Sequence, residues 1–122
     1  MAFRPAYITL HIYQGQTFDD EVNFKDANGD PLDFTDLEAR MQVRRAVPDD
    51  EVLLELSTED GTIEPLDETG TVKFAVDADI TANLPTDNVL QTWVYDLELY
   101  GAGRVTRLME GSVVVYPEVT RD

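Results

Sequence analysis

A chain of 122 residues with 43% hydrophobic side chains has the length and composition of one globular domain, and it is too apolar to stay disordered. The absence of cysteine excludes disulfide staples and thiolate metal sites. A formal net charge of −16, with Lys25 and Lys73 as the only lysines, repels phosphate and anionic lipid and so argues against nucleic-acid or membrane binding.

The N-terminus, Met1-Ala2-Phe3-Arg4-Pro5, lacks the apolar stretch of a secretory signal, and no apolar run reaches membrane-spanning length. A protein made and used without the general secretory route is expected. From Tyr7 onward the dominant period is two, the mark of half-buried strands. Ile8, Leu10 and Ile12 share one face of the first strand and His11 lies on the other. After Gln14-Gly15-Gln16, the residues Phe18, Asp20, Val22 and Phe24 alternate with polar ones. Asp20 interrupts that apolar face, so a sheet rim or a backbone partner is expected for it. Lys25 to Pro31 is dense in turn residues, with Asn28-Gly29 supplying positive-φ positions. Leu37, Ala39, Met41 and Val43 then face inward against Glu38, Arg40, Gln42 and Arg44. Val47-Pro48-Asp49-Asp50 turns the chain, and Val52, Leu54 and Leu56 form the next apolar row.

Glu59 to Thr62 predicts a further turn, followed by a short strand at Ile63 and another holding Val72, Phe74 and Val76. Asp77 to Leu84 is the one stretch that predicts a helical turn, with Asp79 or Thr81 as its cap and Pro85 as its stop. Trp93, Tyr95, Leu97 and Leu99 share a face of the most strongly patterned strand. Gly101-Ala102-Gly103 links it to a return from Arg104 to Glu110, Gly111 bends the chain, and Ser112 to Tyr116 completes the sheet. The pattern predicts an all-β domain over 1–122, an antiparallel β-sandwich of about eight or nine short strands with one short helical turn, a closed barrel being the alternative. Residues 117–122 read as a polar C-terminal tail.

A search for chemistry yields no catalytic, cofactor-binding or metal-ligating residue to nominate. The one histidine, His11, has no nucleophile signature beside it, and its place opposite the apolar row reads as a sheet-face residue. With 25 acidic residues, carboxylate pairs at glycosidase spacing arise by chance. Asp26-Ala27-Asn28-Gly29-Asp30 opens like a calcium loop, yet Pro31 stands at its sixth position and Leu37 at its twelfth, so a hairpin turn explains it and calcium there would be incidental. No glycine-rich phosphate loop follows a strand. Arg40, Arg44, Arg45, Arg104 and Arg107 are interspersed with acids and read as ion-pair partners. Tyr7, Tyr13, Tyr100 and Tyr116 could join a sugar-stacking platform, whereas Trp93 and Tyr95 belong with Leu97 and Leu99 in the core. A non-enzymatic chain with no small-molecule substrate and no cofactor is expected.

The order of several strings carries a resemblance. They are Gln14 to Phe18, Asp26 to Asp33, Ala39 to Arg44, Tyr95 to Leu99, Val105 to Gly111, Val113 to Val115 and Pro117 to Arg121. Together they resemble small structural proteins of tailed bacteriophages and prophages, in particular the N-terminal module of baseplate and tail-fibre-attachment proteins. That resemblance implies an immunoglobulin-like β-sandwich acting as a virion structural protein at the tail, neck or baseplate, assembled in the host bacterial cytoplasm. Its implied partners are other virion proteins and further copies of itself in a symmetric oligomer, with Tyr116 to Asp122 as an arm reaching an adjacent subunit. A capsid decoration protein is the alternative, and from other classes come a free glycan-binding module and an acidic DNA-mimic inhibitor.

Overall fold

The computed structural model describes residues 4–120. Met1 to Phe3, and Arg121 and Asp122 at the end of the expected tail, lie outside the described residues. The alternating rows become eight strands in two sheets with one short helix. The strands are β1 (Ala6–Tyr7), β2 (Leu10–Tyr13), β3 (Glu21–Asn23), β4 (Glu38–Arg44), β5 (Leu54–Ser57), β6 (Thr71–Lys73), β7 (Gln91–Gly101) and β8 (Arg104–Tyr116). The helix α1 (Ala78–Ala82) lies between β6 and β7. Six strands form the larger sheet, in the order β1–β8–β7–β4–β5 with β2 also on β8, and β3 and β6 form the smaller one. Two separate ladders make a sandwich and not a closed barrel.

The apolar rows meet between the sheets. Ala39, Met41 and Val43 of β4, Leu54 and Leu56 of β5, and Trp93, Tyr95, Leu97 and Leu99 of β7 are all buried. They face Phe18, Val72, Phe74 and Val76 in one cluster. The Asp20 side chain is exposed, so its break in the apolar row buries no charge, and its main-chain carbonyl accepts the Phe74 N–H. The Trp93 indole N–H is buried without a hydrogen-bond partner among the described residues, a cost set against the burial of its ring.

Three features depart from the strictly antiparallel, evenly alternating expectation. First, β1 and β2 run parallel to β8, as one edge strand interrupted at Ile8 and Thr9. The chain starts on this edge and crosses to the smaller sheet through Gln14 to Thr17, and β8 later returns along the same direction. The interruption lies opposite Gly111, whose φ is 150° and whose missing Cβ would sit 2.4 Å from the Ile8 carbonyl oxygen. That approach leaves the Ile8 N–H bonded to Glu110 at 2.9 Å and the Tyr95 hydroxyl donating to the Ile8 carbonyl at 2.7 Å.

Second, β8 carries a bulge. Leu97 pairs with Met109 and Glu98 with Arg107, so Leu108 is the extra residue. Two successive side chains, Leu108 and Met109, are therefore both buried, and the alternation changes phase.

Third, the cap of α1 is Asp77, with extended backbone and no side-chain cap bond, and neither Asp79 nor Thr81 serves. Thr81 is instead a fully buried pin. Its hydroxyl accepts from the Gly15 N–H at 3.0 Å and lies 2.9 Å from the Gln16 carbonyl, tying the helix to the sheet crossing. Thr81→Val keeps the shape and strands the Gly15 N–H, so a loss of ~1–3 kcal/mol in urea unfolding is expected. A loss below the measurement error would remove this pin from the account.

Candidate functional site

Three surface features remain once the core is assigned. The first is the outer face of the larger sheet, where Arg40, Gln42 and Arg44 of β4, Asp96 and Glu98 of β7, and Arg107 and Glu110 of β8 line an open depression of about 750 Å³. The register sets Arg40 and Arg107 on either side of Glu98, while Asp96 faces Glu110. Arg40 meets Glu98 at 3.0 Å, and Arg107 meets Glu110 at 3.1 Å and Asp96 at 3.6 Å. The bond from Glu110, followed by the field of Asp96, holds the Arg107 guanidinium above its ordinary range. Arg40 also lies 4.8 Å over the Tyr100 ring. These exposed pairs contribute about 0–1 kcal/mol each, so they set the character of the face more than its stability.

The second feature is an aromatic stack on the same face. Tyr13 and Tyr116 are register partners with ring centroids 4.4 Å apart, and the His11 ring nitrogen Nδ1 is hydrogen-bonded to the Tyr116 hydroxyl at 2.8 Å. His11 thus lies opposite Leu10 and Ile12, as alternation requires, and its partner is a tyrosine. Trp93 and Tyr95 are core residues; burial pushes the Tyr95 hydroxyl well above the ordinary tyrosine range. Tyr7 is exposed at the far rim of the depression, and Tyr100 donates to Glu59. The aromatics of the expected platform are therefore split between the stack, the depression and the core.

The third feature is an apolar slot of about 340 Å³ at the β7–β8 hairpin end. Leu32, Phe34 and Leu37 of the loop before β4 form one wall, and Leu99 and Leu108 form the other. Thr106 lines it and Arg104 stands at its side. Gly101, at φ 149°, lets the hairpin close against Leu37: a Cβ there would lie 3.0 Å from the Leu37 methyl.

Around these features the carboxylates work locally. In the turn at 26–30, the Asp26 carboxylate accepts from the Asn28 and Asp30 backbone N–H groups. The calcium-like string is thus an Asx turn. Among the described residues no group of three or more His, Cys, Asp or Glu side chains is placed to hold a metal ion. Arg45 pairs with Glu51, so Arg40, Arg45 and Arg107 all act as ion-pair partners within the chain.

No family model matches the chain, and no curated protein does. A solved structure to which it is similar is the N-terminal domain of phage TP901-1 ORF48. The two share 14% identity over 92% of this chain and 96% of the other, with a TM-score of 0.41. It is a distant likeness.

Asp33, Asp60 and Asp67 each cap a turn, and each carboxyl is held below its ordinary range. For Asp33 and Asp67 the chief cause is the hydroxyl of Thr35 or Thr69, two residues on. For Asp60, partial burial pushes upward and the bonds from Thr62 and Ser57 outweigh it. A carboxyl whose folded pKa lies below its unfolded value, about 3.9, stabilises the fold above that pH and stops doing so as pH falls through the lowered value. The melting temperature of the wild type should therefore fall more steeply below about pH 4 than that of an Asp33→Ser, Asp67→Ser variant. Parallel curves would remove the caps from the acid response.

Sequence reasoning found the core rows and the ion-pairing arginines. It missed the slot and the role of Gln14. The Gln14 side-chain amide donates to the Ala82 and Leu84 carbonyls and accepts from Thr86 and from the Glu118 backbone. The only available signal was a glutamine beside Gly15 at a sheet crossing, which is too common to single out.

Proposed function

We propose that this chain is a non-enzymatic structural protein of a tailed-phage virion, set at the tail, neck or baseplate. It assembles there as a symmetric oligomer and anchors neighbouring virion proteins. The observation that carries this reading is where the resembling strings fall in the fold. Gln14 to Phe18 is the crossing between sheets, Asp26 to Asp33 the turn beside β3, Ala39 to Arg44 is β4, and Tyr95 to Leu99 with Val105 to Val115 forms the long β7–β8 hairpin. Four of the seven strings thus lie on β4, β7 and β8, and two more lie on the crossing and the turn that join strands. The surface supports the same reading: its features are a charge-laddered sheet face, an aromatic stack and an apolar slot, all suited to docking.

Quantitative mass spectrometry of purified particles tests it. A few to a few dozen copies per virion are expected. Hundreds would move the chain to the capsid surface as a decoration protein, and none would overturn the virion reading.

A further inference from the structure

The two edges of the larger sheet differ. β5, at one edge, is blocked: it carries Glu55, its Ser57 N–H bonds to the Thr62 hydroxyl at 2.9 Å, and the Ser57 carbonyl accepts the Ile63 N–H at 3.0 Å. β1 and β2, at the other edge, are open. The Ile8 and Gln14 N–H groups bond to the Glu110 and Tyr116 carbonyls, and the register with β8 holds without a shift from Tyr7 beside Glu110 to Tyr13 beside Tyr116. Even-numbered residues therefore turn their backbone toward β8. The N–H and C=O groups of Tyr7, Thr9 and His11 point the other way, where no further strand lies among the described residues. Such an edge is a template for another strand, and proteins guard it with lysine, other charges, proline or a bulge. From Ala6 to Tyr13 there is no Asp, Glu, Lys, Arg or Pro, in a chain that is 28% charged. The sheet face beside this edge is uncharged too: Thr92 and Val94 of β7 pair with Val114 and Ser112 of β8, and His11 pairs with Val114 from the other side. Charge returns at the two ends. Glu110 faces Asp96 beside Tyr7, both drawing on Arg107, and the Glu118 carboxylate lies against Gly15.

We propose that the open β1–β2 edge takes up an extended, cationic segment of another protein as a further strand of the larger sheet. The proposal rests on the anchoring reading above and deepens it by naming the contact. The backbone sets the shape of the occupant, because only an extended chain presents C=O and N–H groups at the spacing of Tyr7, Thr9 and His11. The exposed side chains of Thr9, His11 and Tyr13 set its middle, which is uncharged and β-branched or aromatic. Electrostatics set its ends. Lysine or arginine there meets the acids at the Tyr7 and Gly15 ends, and the −16 of the whole chain draws such a segment in. The same charge opposes a second copy, since edge-to-edge pairing would bring two −16 bodies within the screening length of about 8 Å at physiological salt.

Selection against the full chain from a random library of short peptides tests the proposal. The enriched peptides should alternate β-branched or aromatic residues with polar ones, carry net positive charge, and shift the amide resonances of Tyr7 to Tyr13. Thr9→Pro removes an outward N–H while leaving the bonds to β8 in place, and Thr9→Lys sets a like charge against the segment. Each should weaken binding roughly tenfold or more. Far-ultraviolet circular dichroism confirms that each variant folds, and Thr9→Lys decides alone should Thr9→Pro fail. N-methylation of one alternate set of peptide residues should abolish binding, and methylation of the other set should leave most of it. Enriched peptides without positive charge, binding that Thr9→Lys leaves unchanged, or equal tolerance of both methylated sets overturns the edge contact. Dimerisation of the chain alone that Thr9→Lys abolishes also overturns it, by giving the edge to a second copy. All of these results are read on the isolated chain and are separate from the particle copy number, which tests the virion reading by itself.

Discussion

Gly111→Val is expected to detach the N-terminal edge strands from β8 and to cost about 3 kcal/mol or more. Two physical terms act together. A branched side chain at φ 150° is strained by about 1–3 kcal/mol, and the new Cβ would lie 2.4 Å from the Ile8 carbonyl oxygen, a backbone atom that cannot swing aside. Relief requires the edge to move, which breaks the Glu110–Ile8 backbone bond and the Tyr95 hydroxyl contact together. Gly111→Ala should act in the same direction, with a smaller effect. Urea unfolding followed by the emission of Trp93, the only tryptophan, measures the loss, and amide exchange at Leu10 to Tyr13 locates it. Protection of those amides equal to the wild type's would show that the edge tolerates a side chain there.

Phe74→Ala is expected to cost ~3–5 kcal/mol, a large share of the ~5–15 kcal/mol that holds a domain of this kind together. Phe74 is fully buried, and its ring sits 5.1 Å from that of Phe18 across the smaller sheet. Its backbone bridges Ile63, where the chain arrives from the larger sheet, and bonds to Asp20 of the neighbouring run. Removing the ring opens a cavity where three segments converge, so little collapse can fill it. The urea midpoint should fall with the slope unchanged. A loss below about 1 kcal/mol would mean that the two sheets do not depend on this residue for their contact.

Much of the fold was legible in local alternation. The rows Ala39-Met41-Val43 and Trp93-Tyr95-Leu97-Leu99 are inward because every second residue is apolar, and a strand has no other way to bury them. The bulge at Leu108 was less legible. Two adjacent apolar residues, Leu108 and Met109, are compatible with a bulge, a phase change or one exposed side chain, and only pairing with β7 selects the first. Thr81 was misread for a related reason. A threonine at a helix start resembles a cap, whereas its buried hydroxyl serves a loop 65 residues away.

The candidate site was legible only in its ingredients. The arginines, tyrosines and polar tail could be named, but not their neighbours. The His11–Tyr116 contact spans 105 residues of sequence, and the slot joins a loop at 32–37 to a hairpin at 99–108. What the sequence determined by itself is the class of structure: period-two rows, turn residues between them, no cysteine and a strongly acidic surface, each a local or summed property of the chain. Only the tertiary structure decided that the first strands run parallel to the last, that Gly111 admits them, and that the loop at 32–37 meets the β7–β8 hairpin in a slot. Those facts depend on which strands pair and in what register, and pairing is settled by contacts between distant segments that no local pattern encodes.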